Sequence, residues 1–283
     1  MFGVWLPSTP FLTSTIDEQR RAFARIEALG YHSLWTGEPA PAAATVAPAR
    51  EIFSHHAVAL AATERLVVGS GIANVAARVP AAMRGGAVTL AEAFPGRYVL
   101  GLGGASGPTA LRAYLDEFDA VPLRPDVRYP RVLAALGPIA LRLAAERADG
   151  VHPFLQPVAH TRLAREAVGP DALVIPHQAA VLETDPDAAR ARLRAVFARM
   201  PAADNPYVRS YRRLGYGDDD LVAGYRDRPV DDLLARGDEA AIAARLRAQL
   251  EAGADEVLVQ PFAGSLADVL RALERLAGEL FGR

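Results

Sequence analysis

Two amino acids are missing from the 283-residue chain: it contains no cysteine and no lysine, so all 31 basic residues are arginine. Without cysteine the chain forms no disulfide, thiolate nucleophile, iron–sulfur cluster or cysteine-bound zinc site. Without lysine it has no Walker-type phosphate lysine, no Schiff base to a substrate and no lysine-anchored pyridoxal phosphate. The two absences narrow the chemistry available to the chain.

Charge and hydropathy are those of a soluble globular protein. The hydrophobic fraction is 51%, the charged fraction is 23% and the formal net charge is −2. This balance gives no electrostatic reason to expect nucleic acid or an anionic membrane as a partner. No apolar run reaches the ~20 residues needed to span a bilayer. The first ten residues lack the pattern of a secretory signal, so the cytoplasm is the expected compartment.

Short apolar runs alternate with helical periodicity along the whole chain, the pattern of a parallel sheet built from βα units. The expected strands are 2–6, 32–35, 66–72, 97–102, 130–135, 150–154, 172–182 and 256–261. Eight such strands predict a single-domain (β/α)8 TIM barrel over residues 1–283, with insertions at 103–129 after strand four and at 201–237 after strand seven. Because barrel active sites lie at the carboxyl ends of the strands, both insertions are candidates for a lid.

The turn at Gly137–Pro138 joins the fifth expected strand to a helix without a capping side chain. Unpaired N–H groups and the helix dipole at such an N-terminus suit an anion. Barrels more generally bind phosphate after strands seven and eight, which counts against this interpretation. Packing and anion binding both remain open for this turn.

Other candidates follow the ends of strands, and each has a structural alternative. Glu38 is either a site carboxylate or a solvated loop charge, and Asn74 either faces a ligand or forms a turn. His152 is well placed for a barrel site, although a structural role is the alternative. The glycine-rich segment 101–107 allows either close approach of a ligand or a tight loop. The six histidines show no metal-ligand spacing, so no metal site is predicted.

Five segments, in order, resemble the luciferase-like monooxygenase superfamily, in particular the branch that uses the deazaflavin coenzyme F-420. They are "EALGYHSLWTGE", "LAATERLVVGSGIANVAARVP", "FPGRYVLGLGGASG", "PRVLAALGPIALRLAAERADGVHP" and "AIAARLRAQLEAGADEVLVQP". The resemblance covers nearly the whole chain. It implies a (β/α)8 barrel that transfers hydride or electrons between a reduced deazaflavin or FMN and a small organic substrate or oxygen.

The resemblance also implies roles for particular residues. The cofactor phosphate is expected against the backbone of one turn, followed by two residues of the next strand: Ala134, Ala135, Leu136 and Gly137, then Gly150 and Val151. A non-proline cis peptide is expected at Gly71–Ile72, behind the ring system, with Asn74 nearby. The side chains expected to act in catalysis are Glu38, His152 and Ser106, with Glu38 or His152 as a proton donor.

The chain departs from the deazaflavin-dependent sugar-phosphate dehydrogenases of this superfamily at two positions. Pro39 stands where those enzymes have a catalytic histidine, and Ser106 stands where they have a glutamate. Oxidation of a sugar phosphate by their mechanism is therefore not expected. A barrel that has lost activity and only binds a flavin or a partner is the alternative, and a metal-dependent hydrolase is a weaker one. The resemblance to this superfamily also implies a homodimer.

Overall fold

The structure, a computed structural model, describes residues 1–39, 50–104, 106–122, 127–197 and 205–282. Eleven parallel strands form one curled sheet within these ranges. They are β1 Phe2–Leu6, β2 Ser33–Thr36, β3 Val67–Ser70, β4 Ala73–Asn74, β5 Tyr98–Gly103, β6 Arg131–Leu133, β7 Gly150–Val151, β8 Leu173–Val174, β9 His177–Val181, β10 Leu234–Arg236 and β11 Val257–Pro261. The strand order is β10-β9-β11-β1-β2-β3-β5-β6-β7-β8, and β4 pairs with β5 off this path.

Helices follow most of the strands and cover the sheet. Among the described residues they are α1 Thr9–Leu12, α2 Ile16–Ala28, α3 Ile52–Ala61, α4 Pro80–Ala93, α5 Pro108–Ala120, α6 Pro138–Arg147, α7 Val158–Val168, α8 Pro186–Phe197, α9 Pro206–Arg213, α10 Asp227–Leu233, α11 Glu239–Glu251 and α12 Leu266–Phe281. None of the described helices combines the length and apolar character needed to cross a bilayer.

The expected strand 172–182 is divided into β8 and β9 around Pro176. Proline has no N–H to donate to a ladder, which explains the interruption. Two further bonds hold this segment between its neighbours: the N–H of Ile175 donates to Val151 O at 2.9 Å, and the N–H of Leu258 donates to Pro176 O at 2.9 Å. The curled sheet is therefore bonded on both sides of this segment.

The predicted pattern of strands is largely confirmed, but two short strands were missed, β4 at Ala73–Asn74 and β10 at Leu234–Arg236. β10 lies within the stretch 201–237, which the sequence predicts to be an irregular insertion. This strand has only three residues and follows helix α10 directly, so neither alternation nor a β-branched run marks it. The described part of the same stretch also contains α9 and α10.

The interior of the curled sheet is filled by large side chains from several strands. Trp5, Trp35 and Leu258 belong to one buried cluster there, and Trp35 is fully buried. β5 and β9 are buried along their whole length, as expected for parallel strands covered on both faces. The filled interior leaves the carboxyl ends of the strands as the place for a site.

Candidate active site

The candidate residues between β2 and β4 are joined by direct hydrogen bonds. The N–H of Gly71 donates to Thr36 O at 2.8 Å, and the N–H of Glu38 donates to Ile72 O at 2.9 Å. The Gly71–Ile72 peptide bond is cis, as the resemblance implied. The end of β2 and the segment after β3 therefore form one hydrogen-bonded unit at the carboxyl edge of the sheet.

Gly71 occupies a position with no room for a side chain. Its carbonyl oxygen accepts a hydrogen bond from Trp5 Nε1 at 3.0 Å. A Cβ atom at this position would lie 2.8 Å from Trp5 Nε1 and 2.9 Å from His152 Nε2. Both distances are below normal contact, so a larger residue would displace one of these rings.

Glu38 is bound by a guanidinium group and does not lie free in the loop. Arg78 donates to both carboxylate oxygens, at 2.7 and 2.6 Å, and the N–H of Asn74 donates to Oε2 at 3.0 Å. The Glu38 side chain is only 10% exposed. This bidentate arrangement fastens the end of β2 to the segment 72–78. A role of Glu38 as a proton donor stays a prediction, and both of its oxygens are occupied here.

Asn74 uses its side chain to shape the local backbone. Its Oδ1 accepts a hydrogen bond from the N–H of Ala76 at 3.0 Å, and the residue is only 3% exposed. This is the geometry of an Asx turn, in which an asparagine side chain replaces a backbone acceptor. The geometry favours the turn-forming alternative for this residue.

His152 is buried behind Gly71 and stacks on Trp35, with the ring centroids 5.3 Å apart. Its Nδ1 lies 2.7 Å from Ile175 O, so Nδ1 carries the proton and Nε2 has a lone pair. Nε2 has no hydrogen-bond partner among the described residues. Burial lowers the pKa of His152 to about 4. At neutral pH this imidazole supports Gly71 and has no acidic proton to give.

The turn after β6 presents free backbone donors. Among the described residues, no acceptor faces the N–H groups of Ala135, Leu136 and Gly137, whereas the N–H of Ala134 donates to Leu102 O. The carbonyl of Leu136 accepts from His160 Nε2 at 2.9 Å and from Ser210 Oγ at 3.4 Å. Because C=O and N–H point in opposite directions across a trans peptide, the N–H of Gly137 is directed away from His160.

The helix after this turn begins as the sequence predicts. α6 starts at Pro138 with Gly137 as its N-cap, and no side chain caps it. The consecutive donors and the bare helix N-terminus give a site suited to an anion. This N-terminus is close to the Gly71 segment, because a Cβ on Gly103 would touch both Ile72 Cδ1, at 2.6 Å, and Ala134 Cβ, at 2.8 Å.

Three other predicted site residues make none of the site contacts described so far. Ser106 is exposed in the loop before α5. Gly150 and Val151 are buried within β7, where they pair with β6 and β8. A Cβ on Gly150 would lie 2.2 Å from Leu173 O, so strand packing alone accounts for this glycine. Within the glycine-rich segment, Gly101 is likewise fixed by packing, since its Cβ would lie 1.9 Å from Ser70 O.

Sequence reasoning missed three residues that shape the site. Trp5, in β1, bonds to Gly71, and Arg78 holds Glu38. Arg213, at the end of α9, has its Nη1 atom 3.2 Å from where a Cβ of Gly137 would lie. Each acts on a residue distant in sequence. Only Arg78, four residues after Asn74 and two before the proline that begins α4, lies near a predicted candidate in the sequence.

Metal binding finds no support in the part of the chain that the structure describes. No group of three or more histidine or carboxylate side chains is placed there to hold an ion. His177, for example, is buried and bonded to Gln260, and burial lowers its pKa to about 3. The five buried histidines each have a hydrogen-bond partner within the protein; they are His55, His56, His152, His160 and His177.

Comparison with known sequences supports the resemblance. Residues 1–120 match the model of a family described as luciferase-like monooxygenase. The resemblance to the luciferase-like monooxygenases is thus confirmed over this part of the chain. A comparison with curated proteins gave no match.

Solved structures share the fold along the whole length of the chain. An F-420-dependent secondary alcohol dehydrogenase, in complex with an F-420–acetone adduct, is 13% identical with a TM-score of 0.74, covering 100% of this chain and 98% of that one. A coenzyme F-420-dependent tetrahydromethanopterin reductase from Methanopyrus kandleri is 17% identical, with a TM-score of 0.74 and coverage of 99% and 98%. At these identities the likeness establishes a shared fold.

An FMN protein shares the fold as well. The oxygenating constituent of 3,6-diketocamphane monooxygenase from Pseudomonas putida, in complex with FMN, is 14% identical, with a TM-score of 0.68 and coverage of 99% and 98%. Luciferase-like folds with either a deazaflavin or FMN therefore resemble this chain.

Proposed function

We propose that this chain is an oxidoreductase that binds reduced coenzyme F-420, or FMN, at the carboxyl ends of its strands. Its substrate is a small organic molecule that receives hydride from the deazaflavin or oxygen through the flavin. The observation that carries the proposal is the row of unpaired N–H groups at Ala135–Gly137, at the bare N-terminus of α6 and next to the Gly71–Ile72 segment.

The residues present fit a flavin-type cofactor. A phosphate supplies the acceptors that the N–H groups of Ala135, Leu136 and Gly137 lack, and the α6 dipole favours its negative charge. The rigid segment at Gly71 and Ile72, held by Trp5 and Glu38, offers backbone and an aliphatic side chain beside a planar ring. The cofactor, when bound, supplies the redox chemistry; the protein orients it and limits the access of water.

Glu38 and His152 act in this proposal as positioning residues. Glu38 fixes the segment 72–78 through Arg78 and the N–H of Asn74, and His152 supports Gly71 from behind. Of the three side chains expected to act in catalysis, only Ser106 is exposed. Ser106 is therefore the one of the three that we propose to contact substrate, while Gly150 and Val151 form the strand that carries His152.

The curled sheet is, in this proposal, the closed TIM barrel of the luciferase-like enzymes, with residues 1–283 forming one domain. The bonds from Ile175 and Leu258 on the two sides of Pro176 support this closure. The described parts of the insertions 103–129 and 201–237 then lie at the cofactor-binding edge, while residues 105, 123–126 and 201–204 of these insertions are outside the described ranges. A cytoplasmic location and a homodimer complete the proposal, and no nucleic acid or membrane takes part.

A titration of the purified protein with coenzyme F-420 and, separately, with FMN tests the proposal. Fluorescence quenching with saturation at micromolar concentrations by at least one of them is the expected result. Binding of F-420 alone supports hydride transfer, and binding of FMN alone supports oxygenation. Binding of neither by folded protein would refute the oxidoreductase.

Binding without turnover is the rival function, a barrel that has lost its activity. The engagement of both Glu38 and His152 in structural bonds is the observation that favours it. Single-turnover oxidation of the bound reduced cofactor, followed by absorbance with a panel of enones and imines, separates the two. No acceptor-dependent oxidation would support the rival.

A further inference from the structure

Helix α9 packs directly on the turn proposed to hold the cofactor phosphate. Ser210 Oγ lies 3.4 Å from Leu136 O and donates to Gln156 Oε1 at 2.8 Å. The hydroxyl group of buried Tyr211 donates to Leu155 O at 2.8 Å. These bonds fix the last turn of α9, and therefore the Cα of Arg213, relative to Gly137.

Arg213 extends over Gly137. Its Nη1 lies 3.2 Å and its Cζ 3.6 Å from where a Cβ of Gly137 would be. Within the described ranges Arg213 makes no ion pair and no hydrogen bond. Its neighbour Arg212, in contrast, pairs with Asp218 at 2.9 Å. The α9 helix thus ends with one neutralised guanidinium group and one that is available.

A second arginine faces the same space. A cavity of about 390 Å³ lies between α6, α7 and the end of α9, and its lining includes Leu136, Pro138, Arg142, His160 and Arg213. Arg142 makes no ion pair or hydrogen bond with the described residues. Glu146, one turn further along α6, attracts it at longer range but is itself bonded to Arg112 at 2.6 Å.

His160 adds no charge to this cavity. Its Nε2 proton is committed to Leu136 O, and burial lowers the pKa of this histidine. The polar character of the cavity is therefore set by the two arginines beside an apolar wall of Leu141 and Leu163. The opening next to the proposed phosphate turn is cationic.

We infer that Arg213, together with Arg142, binds the acidic tail of coenzyme F-420 where it continues beyond the phosphate, and so selects this cofactor over FMN. The inference rests on the proposed function. FMN ends at its phosphate, whereas F-420 carries a lactyl group and glutamate residues after it, whose carboxylates suit guanidinium groups. Because both arginines are exposed, the interaction is screened by salt.

The test compares cofactors that differ only in the tail. Wild-type protein and the variants Arg213→Gln and Arg142→Gln/Arg213→Gln are titrated with F-420 carrying several glutamates, with F-420 lacking glutamates, with the tail-less and phosphate-free deazaflavin, and with FMN. Arg162→Gln is the matched control, since Arg162 is an exposed arginine on α7 outside the cavity lining. Thermal unfolding confirms that each variant is folded.

The expected result is a Kd for glutamylated F-420 that rises about fivefold in Arg213→Gln and more in the double variant, with a weaker salt dependence. The Kd for the phosphate-free deazaflavin should not change, and Arg162→Gln should behave as wild type. Arg213→Lys should recover part of the affinity, since it retains the charge.

Other outcomes overturn the inference in identifiable ways. An equal loss of affinity for FMN and for F-420 lacking glutamates would assign Arg213 to the phosphate and not to the tail. Unchanged Kd values in the double variant would show that neither arginine contributes to cofactor binding. If the wild-type protein binds none of the four compounds, both the proposed function and this inference fail. If it binds them tightly but with the same affinity whether or not the tail is present, only this inference fails.

Discussion

Trp5 and Gly71, which lie 66 residues apart in sequence, meet in a hydrogen bond of 3.0 Å from the indole Nε1 to the glycine carbonyl. The bond is buried, and it links the first strand to the segment proposed to face the cofactor ring. Trp5→Phe leaves the carbonyl without its donor. We expect a loss of about 1–3 kcal/mol in the free energy of unfolding and weaker cofactor binding.

Tyr31→Phe is the control for this variant. The Tyr31 hydroxyl group also donates to a buried carbonyl, that of Leu273, at 2.9 Å, and Tyr31 lies before the amino end of β2, whereas the site is at the carboxyl ends of the strands. Urea unfolding should show a similar cost for both variants, whereas fluorescence titration should show reduced affinity only for Trp5→Phe. Equal cofactor affinities in the two variants would show that Trp5 does not contribute to the cofactor site.

Gly71→Ala should weaken cofactor binding about tenfold or more. The new methyl group would lie within 3 Å of Trp5 Nε1 and His152 Nε2, so the rings or the backbone must move. Gly85→Ala places the same methyl group in α4, where nothing lies within 4 Å, and should bind normally with equal or higher stability. Calorimetric titration of both variants measures the difference.

Glu38→Gln tests whether the carboxylate positions backbone or transfers a proton. In a positioning role, the variant should lower the cofactor affinity and keep the shape of the pH–rate profile. Glu38→Ala leaves Arg78, only 15% exposed, with Glu51 as its remaining partner at 3.1 Å, and should cost about 1–3 kcal/mol of stability. The double variant Glu38→Ala/Arg78→Ala should cost less than the sum of the single ones.

A titration step that disappears from the pH–rate profile of Glu38→Gln, with cofactor affinity unchanged, would instead assign proton transfer to Glu38. Measuring kcat and the cofactor Kd separately from pH 5 to 9 distinguishes the two roles.

The buried carboxyl group of Glu256 should make the stability of the protein depend on pH. Burial raises the pKa of this carboxyl from 4.5 to about 7, and Ser33 Oγ donates to it at 2.6 Å. The folded state therefore retains a proton that the unfolded state loses between these pH values. The stabilisation is present below about pH 4.5 and is lost as the pH rises to 7, by roughly 3 kcal/mol.

Glu256→Gln removes this titrating group, so that comparison of the variant with wild type separates the effect of Glu256 from that of the histidines. His55 and His152 have pKa values lowered to about 4 by burial, so they contribute stability that grows with rising pH up to about 6.5. The difference in urea-unfolding free energy between wild type and Glu256→Gln should fall as the pH increases from 5 to 8. A constant difference over that range would show that Glu256 does not titrate there.

Local sequence predicts the strands and the bare turn because both depend on neighbouring residues. Apolar runs mark buried parallel strands, and Gly137–Pro138 places a helix start after one of them. The roles of Trp5 and Arg213 depend on how distant segments pack, which no local pattern contains. The same reason applies to Glu38. Its sequence context is compatible with a solvated loop charge, and only the fold shows that Arg78 binds it.

The most direct test of the account is a crystal structure of the protein with bound coenzyme F-420, or with FMN if only FMN binds. The account predicts the phosphate within about 3 Å of the N–H groups of Ala135–Gly137 and the ring against Gly71 and Ile72. A cofactor phosphate bound instead at the ends of β9 and β11, with the 135–137 turn unoccupied, would contradict it.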